Sequence, residues 1–176
     1  MSLHARRVRQ AMSDQTSPDS FPRRKHLRRL DDITVSRPLV FFLTACVAGR
    51  RPVLYEPRVA DILVQAWRHA TALHGWLIGR YVIMPDHVHF FASPVGDAAK
   101  DLSGFLKYWK RSTAIRLRKA GFSQFRWQRE FFDHLLRDEE SYAEKWDYVR
   151  DNPVRAGLVG DSSQWPYQGE IARLEW

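Results

Sequence analysis

At 176 residues with 44% hydrophobic content, the chain is long enough to bury one core and too apolar to be disordered throughout. Its formal net charge is +8, and most of that excess sits early: Arg6, Arg7, Arg9, Arg23, Arg24, Lys25, Arg28 and Arg29 face only Asp14 and Asp19. The single cysteine, Cys46, excludes an internal disulfide, and no apolar run approaches the ~20 residues of a membrane-crossing helix.

Residues 1–33 show no sustained apolar period and read as a basic, mobile arm, a common footprint of a polyanion binder. No apolar stretch follows their charges, so they do not form a secretory signal. The expectation is a cytoplasmic, nucleoid-associated protein. Residues 38–47, dense in Val, Phe, Leu and Thr, predict a first strand. In 57–74, Val59, Ile62, Leu63, Ala66 and Trp67 recur at helical spacing, and Gly75 ends the helix. Residues 76–84 and 86–92 predict two strands joined tightly through Pro85, hence antiparallel neighbours. A long helix over 98–120 carries Leu102, Phe105, Leu106 and Trp109 on one face. A fourth strand is expected at 131–136 and a last helix from 138 to about 152, before Pro153. Residues 154–176 read as a loop-like tail with Leu158, Trp165 and Tyr167 as anchors. This order predicts an α+β protein, a ferredoxin-like (RRM-like) βαββαβ antiparallel sheet with one additional C-terminal helix. The domain expectation is an arm (1–33), a catalytic domain (34–153) and a packed tail (154–176).

His87 and His89 stand at i and i+2 of the third predicted strand, so their imidazoles share one face. Two adjacent imidazoles are half of a metal site; the plainer reading is two satisfied polar residues on a half-exposed sheet. Related motifs are excluded by their neighbours. A histidine-triad hydrolase needs a third His where Phe91 stands, and a metallo-β-lactamase-type site needs Asp-His where Phe90-Phe91 stand. Zinc proteases need an i, i+4 His pair, which is absent. Tyr148 and Asn152 are four apart, which puts a phenol and an amide oxygen on one helix face. Tyr142 reads as packing and Trp109 as core. Lys107, Tyr108, Lys110 and Arg111 suit nucleic acid, with cations on phosphates and the aromatic ring on an unpaired base. Arg23, Arg24, Lys25, Arg28 and Arg29 suit the same partner from the arm. Glu130 and His134 are outer-shell candidates, and strand alternation lets only one of Asp133 and His134 share the histidines' face.

Three stretches then combine: Met84-Pro85-Asp86-His87-Val88-His89, Trp127-Gln128-Arg129-Glu130-Phe131-Phe132-Asp133-His134, and Tyr148-Val149-Arg150-Asp151-Asn152-Pro153-Val154-Arg155-Ala156-Gly157. Together they resemble the REP-associated tyrosine transposases, a branch of the single-tyrosine HUH transposases, over roughly residues 35–170. The resemblance implies a DNA endonuclease and strand transferase acting on single-stranded DNA beside hairpins, with Tyr148 as nucleophile on the last helix. It implies a divalent metal, Mg²⁺ or Mn²⁺, held by His87, His89 and Asn152, and a monomer or homodimer. Imidazole alone favours transition metals, so Mg²⁺ would depend on oxygen ligands, whereas Mn²⁺ tolerates nitrogen better. The alternative on the same fold is a non-catalytic single-stranded nucleic-acid-binding module.

Overall fold

The computed structural model describes residues 38–97 and 99–175. Strand β1 (Val40–Cys46) leads through a single 3-10 turn at Ala48–Arg50 to helix α1 (Pro57–Arg68) and the short α2 (Ala70–His74). Strands β2 (Trp76–Ile83) and β3 (His87–Pro94) follow, then α3 (Leu102–Lys119) and β4 (Phe132–Leu136). The chain ends with α4 (Glu139–Arg150), the one-turn α5 (Asn152–Arg155) and β5 (Gln168–Glu170). All five strands form one antiparallel sheet in the order β4-β1-β3-β2-β5.

Alternation on the central strands builds two cores. Phe41, Leu43, Ala45, Val88, Phe90 and Ala92 meet Leu63 and Trp67 of α1 and Phe105, Leu106 and Trp109 of α3. Trp67 and Trp109 stack with centroids 5.4 Å apart and planes within 3°, so Trp109 is core, as its position on the apolar face of α3 predicts. Val40, Phe42 and Phe91 point the other way, towards Tyr142 and Val149 of α4 and Leu158, Trp165 and Leu174 of the tail. Burial on both faces explains why β1 is nearly continuous in apolar residues rather than alternating.

Several elements depart from the sequence reading. The helix expected over 57–74 breaks at His69 (φ −89°, ψ −5°), which ends α1 and opens α2. The long helix begins at Leu102 rather than 98, because the Asp101 carboxylate caps the Gly104 N–H. Pro153 does not stop the helical path; it falls in the first turn of α5, where a missing N–H costs nothing. The tail, expected to be loop-like, adds β5 at the β2 edge. Its Leu174 lies over Gly79, where a Cβ would come within 2.8 Å of the leucine side chain, and β2 carries a register shift at that point. The Trp165 indole N–H also donates to the Ile83 carbonyl (3.0 Å).

Candidate functional site

The site begins with the β2–β3 connection. Its backbone is clamped: the Val47 N–H donates to the Asp86 carbonyl and the Leu54 N–H to the Pro85 carbonyl, both at 2.8 Å. That fixes His87 and His89 at the start of β3, next to β1 in the middle of the sheet. In register, His89 lies opposite Thr44 and His87 opposite Cys46. His87 and His89 therefore share the face covered by α4, while Val88 and Phe90 enter the opposite core.

Both imidazoles are oriented through Nδ1. The His87 Nδ1 lies 2.6 Å from Asp86 Oδ1, and the His89 Nδ1 lies 2.8 Å from Thr44 Oγ1. Asp86 is held in turn by the Arg50 Nε, 2.8 Å from Oδ2. Arg50 adopts a left-handed φ of 52°, a conformation that costs a non-glycine residue about 1–2 kcal/mol. Its guanidinium also donates to Cys46 Sγ (2.9 Å). With an N–H at each Nδ1, both Nε2 atoms carry lone pairs, and these two atoms are 3.0 Å apart. Two nitrogens each ~2.1 Å from one ion and at right angles about it would be ~3.0 Å apart. Without an ion between them, the same separation suits a ring-to-ring hydrogen bond once the His89 proton sits on Nε2 and its Nδ1 accepts from the Thr44 hydroxyl.

Charge reinforces this arrangement. His89 is 7% exposed, and its pKa falls well below the usual imidazole value, through burial first and then through His87, Arg50, Lys145 and Arg155. It is therefore neutral at physiological pH, as a metal ligand must be. For Asp86, burial pushes the pKa up, but the His87 hydrogen bond and the His87 and Arg50 charges outweigh it, and the net shift is down. Burial pushes the Cys46 thiol up against the opposing pull of Arg50. The residues present thus fit a divalent cation on the nitrogen side.

The second half lies on α4 and α5. Tyr148 is 62% exposed, whereas Tyr142 is buried with its ring 4.5 Å from Phe91, so Tyr142 packs as expected. Tyr148 and Asn152 do not share one unbroken helix: α4 ends at Arg150 and Asn152 opens α5. Arg155 spans the break. Its Nη2 donates to the Tyr148 carbonyl (2.6 Å) and to Asn152 Oδ1, and its guanidinium carbon lies 4.0 Å from the Tyr148 ring centroid. A chain of ring contacts leads back to the histidines. The Lys145 Nζ lies 5.9 Å from the Tyr148 centroid and 5.4 Å from that of Phe42, and Phe42 stacks on His89 at 5.4 Å. Arg155 and Lys145 are two participants that residue spacing alone did not single out. Their signal was present, as cations three before and seven after Tyr148, but it does not stand out from the other surface cations.

The remaining candidates separate. By register His134 pairs with Phe42 and so shares the histidines' face, but it is exposed; Asp133 pairs with Leu43 on the other face. The Glu130 side chain is exposed and lies 3.9 Å from the Arg129 guanidinium. Lys107, Tyr108 and Arg111 are exposed on α3, which covers the sheet face opposite the histidines. Tyr108 sits against His74 (4.3 Å) with Lys100 Nζ 5.3 Å from its ring. Arg23, Arg24, Lys25, Arg28 and Arg29 lie outside the described residues.

Lys110, grouped by sequence with the DNA-facing cations, is turned inward. It is 9% exposed, and its ammonium donates to the carbonyls of Gln128, Arg129 and Glu130 at 3.1, 3.2 and 2.8 Å. Helical periodicity puts residue 110 beside Trp109 at the margin of the buried face, where the long stem can reach under the 128–130 segment. Lys110→Ala should lower the unfolding free energy by about 2–3 kcal/mol in urea titrations, since three carbonyls lose a charged donor. Burial also lowers the Lys110 pKa from 10.5 to about 8. Between those values the unfolded chain holds a proton that the native chain has shed. The contribution of this group to stability therefore rises as pH climbs from about 8 to 10.5, a slope that Lys110→Met should remove.

A sequence profile described as transposase IS200-like matches residues 39–152, so the chain belongs to that family of transposases. Within it, the chain is similar to the REP-associated tyrosine transposase of Escherichia coli K12, 30% identical over 91 residues that make up 51% of this chain and 52% of that protein. A Haemophilus influenzae protein assigned to the same group is 33% identical over 96 residues, 48% of this chain and 53% of its own. The chain thus spans about half the length of the curated relatives it matches. A solved structure of a REP-associated tyrosine transposase bound to a REP hairpin superposes with a TM-score of 0.64 at 25% identity, over 85% of this chain and 82% of that one. Among the described residues, no helix is long and apolar enough to cross a membrane.

Proposed function

We propose that this chain nicks and rejoins single-stranded DNA beside hairpins, through a 5′-phosphotyrosine link to Tyr148, using a catalytic unit formed by residues 34–153. The observation that carries the proposal is the pair of Nε2 atoms of His87 and His89, 3.0 Å apart, with each Nδ1 held by an oxygen partner. His87, His89 and Asn152 would hold a divalent ion, Mn²⁺ or Mg²⁺. When bound, such an ion offsets charge on a non-bridging phosphate oxygen. Hairpin DNA as the substrate class is supported by the REP hairpin bound in the structurally similar transposase.

In the forward step the Tyr148 hydroxyl oxygen bonds to phosphorus and the bond from phosphorus to the 3′ oxygen breaks. The phenol gives up its proton and the 3′ oxygen leaves as a hydroxyl. The link that remains is still a phosphodiester, so a 3′ hydroxyl can reverse the exchange with no other energy source. A neutral phenol is a weak nucleophile, so Tyr148 must lose its proton as it attacks. The exposure of Tyr148 lets a strand reach it without rearranging the core.

Lys107, Tyr108 and Arg111 give a second contact on the opposite layer, for the part of the DNA not undergoing chemistry. Lys107→Ala together with Arg111→Ala should weaken DNA binding and flatten its salt dependence by about 1–2 in the log–log slope. The cleavage rate at saturating DNA should stay the same, as read from single-turnover gels. The test of the whole proposal is direct. The protein is incubated with end-labelled hairpin oligonucleotides bearing single-stranded flanks, in Mn²⁺ and in Mg²⁺, and run on a denaturing gel. A covalent protein–DNA band that disappears with EDTA is expected. Hairpin binding with no adduct in either metal would overturn it in favour of a binding module.

A further inference from the structure

Arg155 has no part in the reaction so far, yet it touches both residues on which the reaction depends. Its partners are a carbonyl, a carboxamide oxygen and an aromatic face, none of them anionic. Lys145 lies against the same Tyr148 ring and against Phe42. Neither cation forms an ion pair among the described residues, whereas Arg50, Arg80, Arg129 and Arg150 each do. Two cations whose partners among the described residues are neutral thus lie against one exposed phenol, and Lys145 also reaches Phe42, which stacks on His89.

We propose that Arg155 and Lys145 form a phosphate clamp around Tyr148, and that a DNA phosphate, by drawing Arg155 to itself, releases the Asn152 oxygen to the metal. This rests on the reading of Tyr148 as nucleophile and Asn152 as ligand. The guanidinium fork matches two phosphate oxygens, and such charge-assisted bonds are roughly twice as strong as bonds to neutral acceptors. A phosphate therefore competes well with a carboxamide for Arg155. Until it arrives, Asn152 Oδ1 is occupied by a cationic donor, and a metal ion at that oxygen would meet like charge. DNA and metal then favour each other's binding, and the coupling is reciprocal. Nucleophile and metal are brought into readiness by the substrate itself.

Two measurements test this. In DNA-free protein, Mn²⁺ affinity is measured by calorimetry for wild type, Arg155→Ala, Arg155→Lys and the double variant with Arg155→Ala and Asn152→Ala, with folding checked by circular dichroism. Arg155→Ala should bind Mn²⁺ roughly 5-fold or more tightly than wild type. Arg155→Lys, a mild change at an exposed position, should fall between them. Asn152→Ala added to Arg155→Ala should abolish that gain, because the oxygen that Arg155→Ala sets free is then missing. In a Tyr148→Phe background, which keeps the ring and prevents cleavage, binding of a hairpin oligonucleotide with single-stranded flanks is followed across a salt series. Arg155→Ala and Lys145→Ala should each flatten the log–log slope by about 0.7. If adding Asn152→Ala to Arg155→Ala leaves Mn²⁺ affinity where Arg155→Ala alone put it, the ligand assignment itself fails. If the double variant binds Mn²⁺ more weakly than Arg155→Ala, but Arg155→Ala alone leaves either the Mn²⁺ affinity or the salt slope at its wild-type value, the ligand assignment stands and the clamp is overturned.

Discussion

Tyr148→Phe should abolish the covalent adduct and all strand exchange while leaving hairpin affinity within about twofold of wild type. The substitution removes one oxygen and keeps the ring, so the contacts of Arg155 and Lys145 with that ring persist. Because Tyr148 is exposed and does not contribute to either core, removing its hydroxyl leaves no buried polar group unpaired. Stability should change by no more than ~0.5 kcal/mol, as expected of a surface substitution. Labelled oligonucleotide on a denaturing gel reads the chemistry and a native gel reads the binding. Residual adduct in the variant would transfer the nucleophile's role elsewhere. Tyr108 is also exposed, but it lies on α3, behind the sheet from the histidines.

The second large effect concerns the metal. Asp86→Ala should weaken Mn²⁺ binding by about 10–100-fold, the usual cost of losing a carboxylate that orients a ligating histidine. Without Oδ1 at 2.6 Å, the His87 ring is free to rotate or to take the other tautomer, and its Nε2 no longer presents a fixed lone pair. Asp86→Asn keeps an acceptor for the His87 Nδ1–H but loses the ion pair with Arg50, so it should fall nearer to wild type. This order, alanine worse than asparagine, is what separates an orienting role from a purely electrostatic one, which would make the two equal. His89→Ala should be more severe than either in calorimetric titration, because it removes a ligand and leaves Thr44, 3% exposed, without its partner.

Most of the sheet was legible in the sequence because its strands are bounded by strong local signals. Gly75, Pro85 and the stretch from Gly49 to Pro52 mark ends whatever lies across the core from them. The His87/His89 pair was legible for the same reason, since strand alternation is a local property and it settles the shared face. What was not legible depends on contacts between distant segments. β5 is three residues long and has no strand signature of its own; it exists because Leu174 and Trp165 draw the tail across Gly79 and Ile83. Lys110 reads as one more surface cation until the 128–130 carbonyls are seen to close on it. The bridge between Tyr148 and Asn152 was legible only as spacing; that a third side chain, Arg155, engages both is a fact of tertiary placement.

The tail carries a practical consequence for anyone who shortens this protein. The stretch matched by the family profile ends at residue 152, but Leu158, Trp165 and Leu174 complete the layer that rests on Phe42, Phe91 and Val82. A fragment trimmed to the profile would bare an oily slab directly alongside the histidines, inviting clumping in the test tube. Its loss of activity could then be mistaken for evidence about chemistry, when the cause would be a missing lid of ordinary packing.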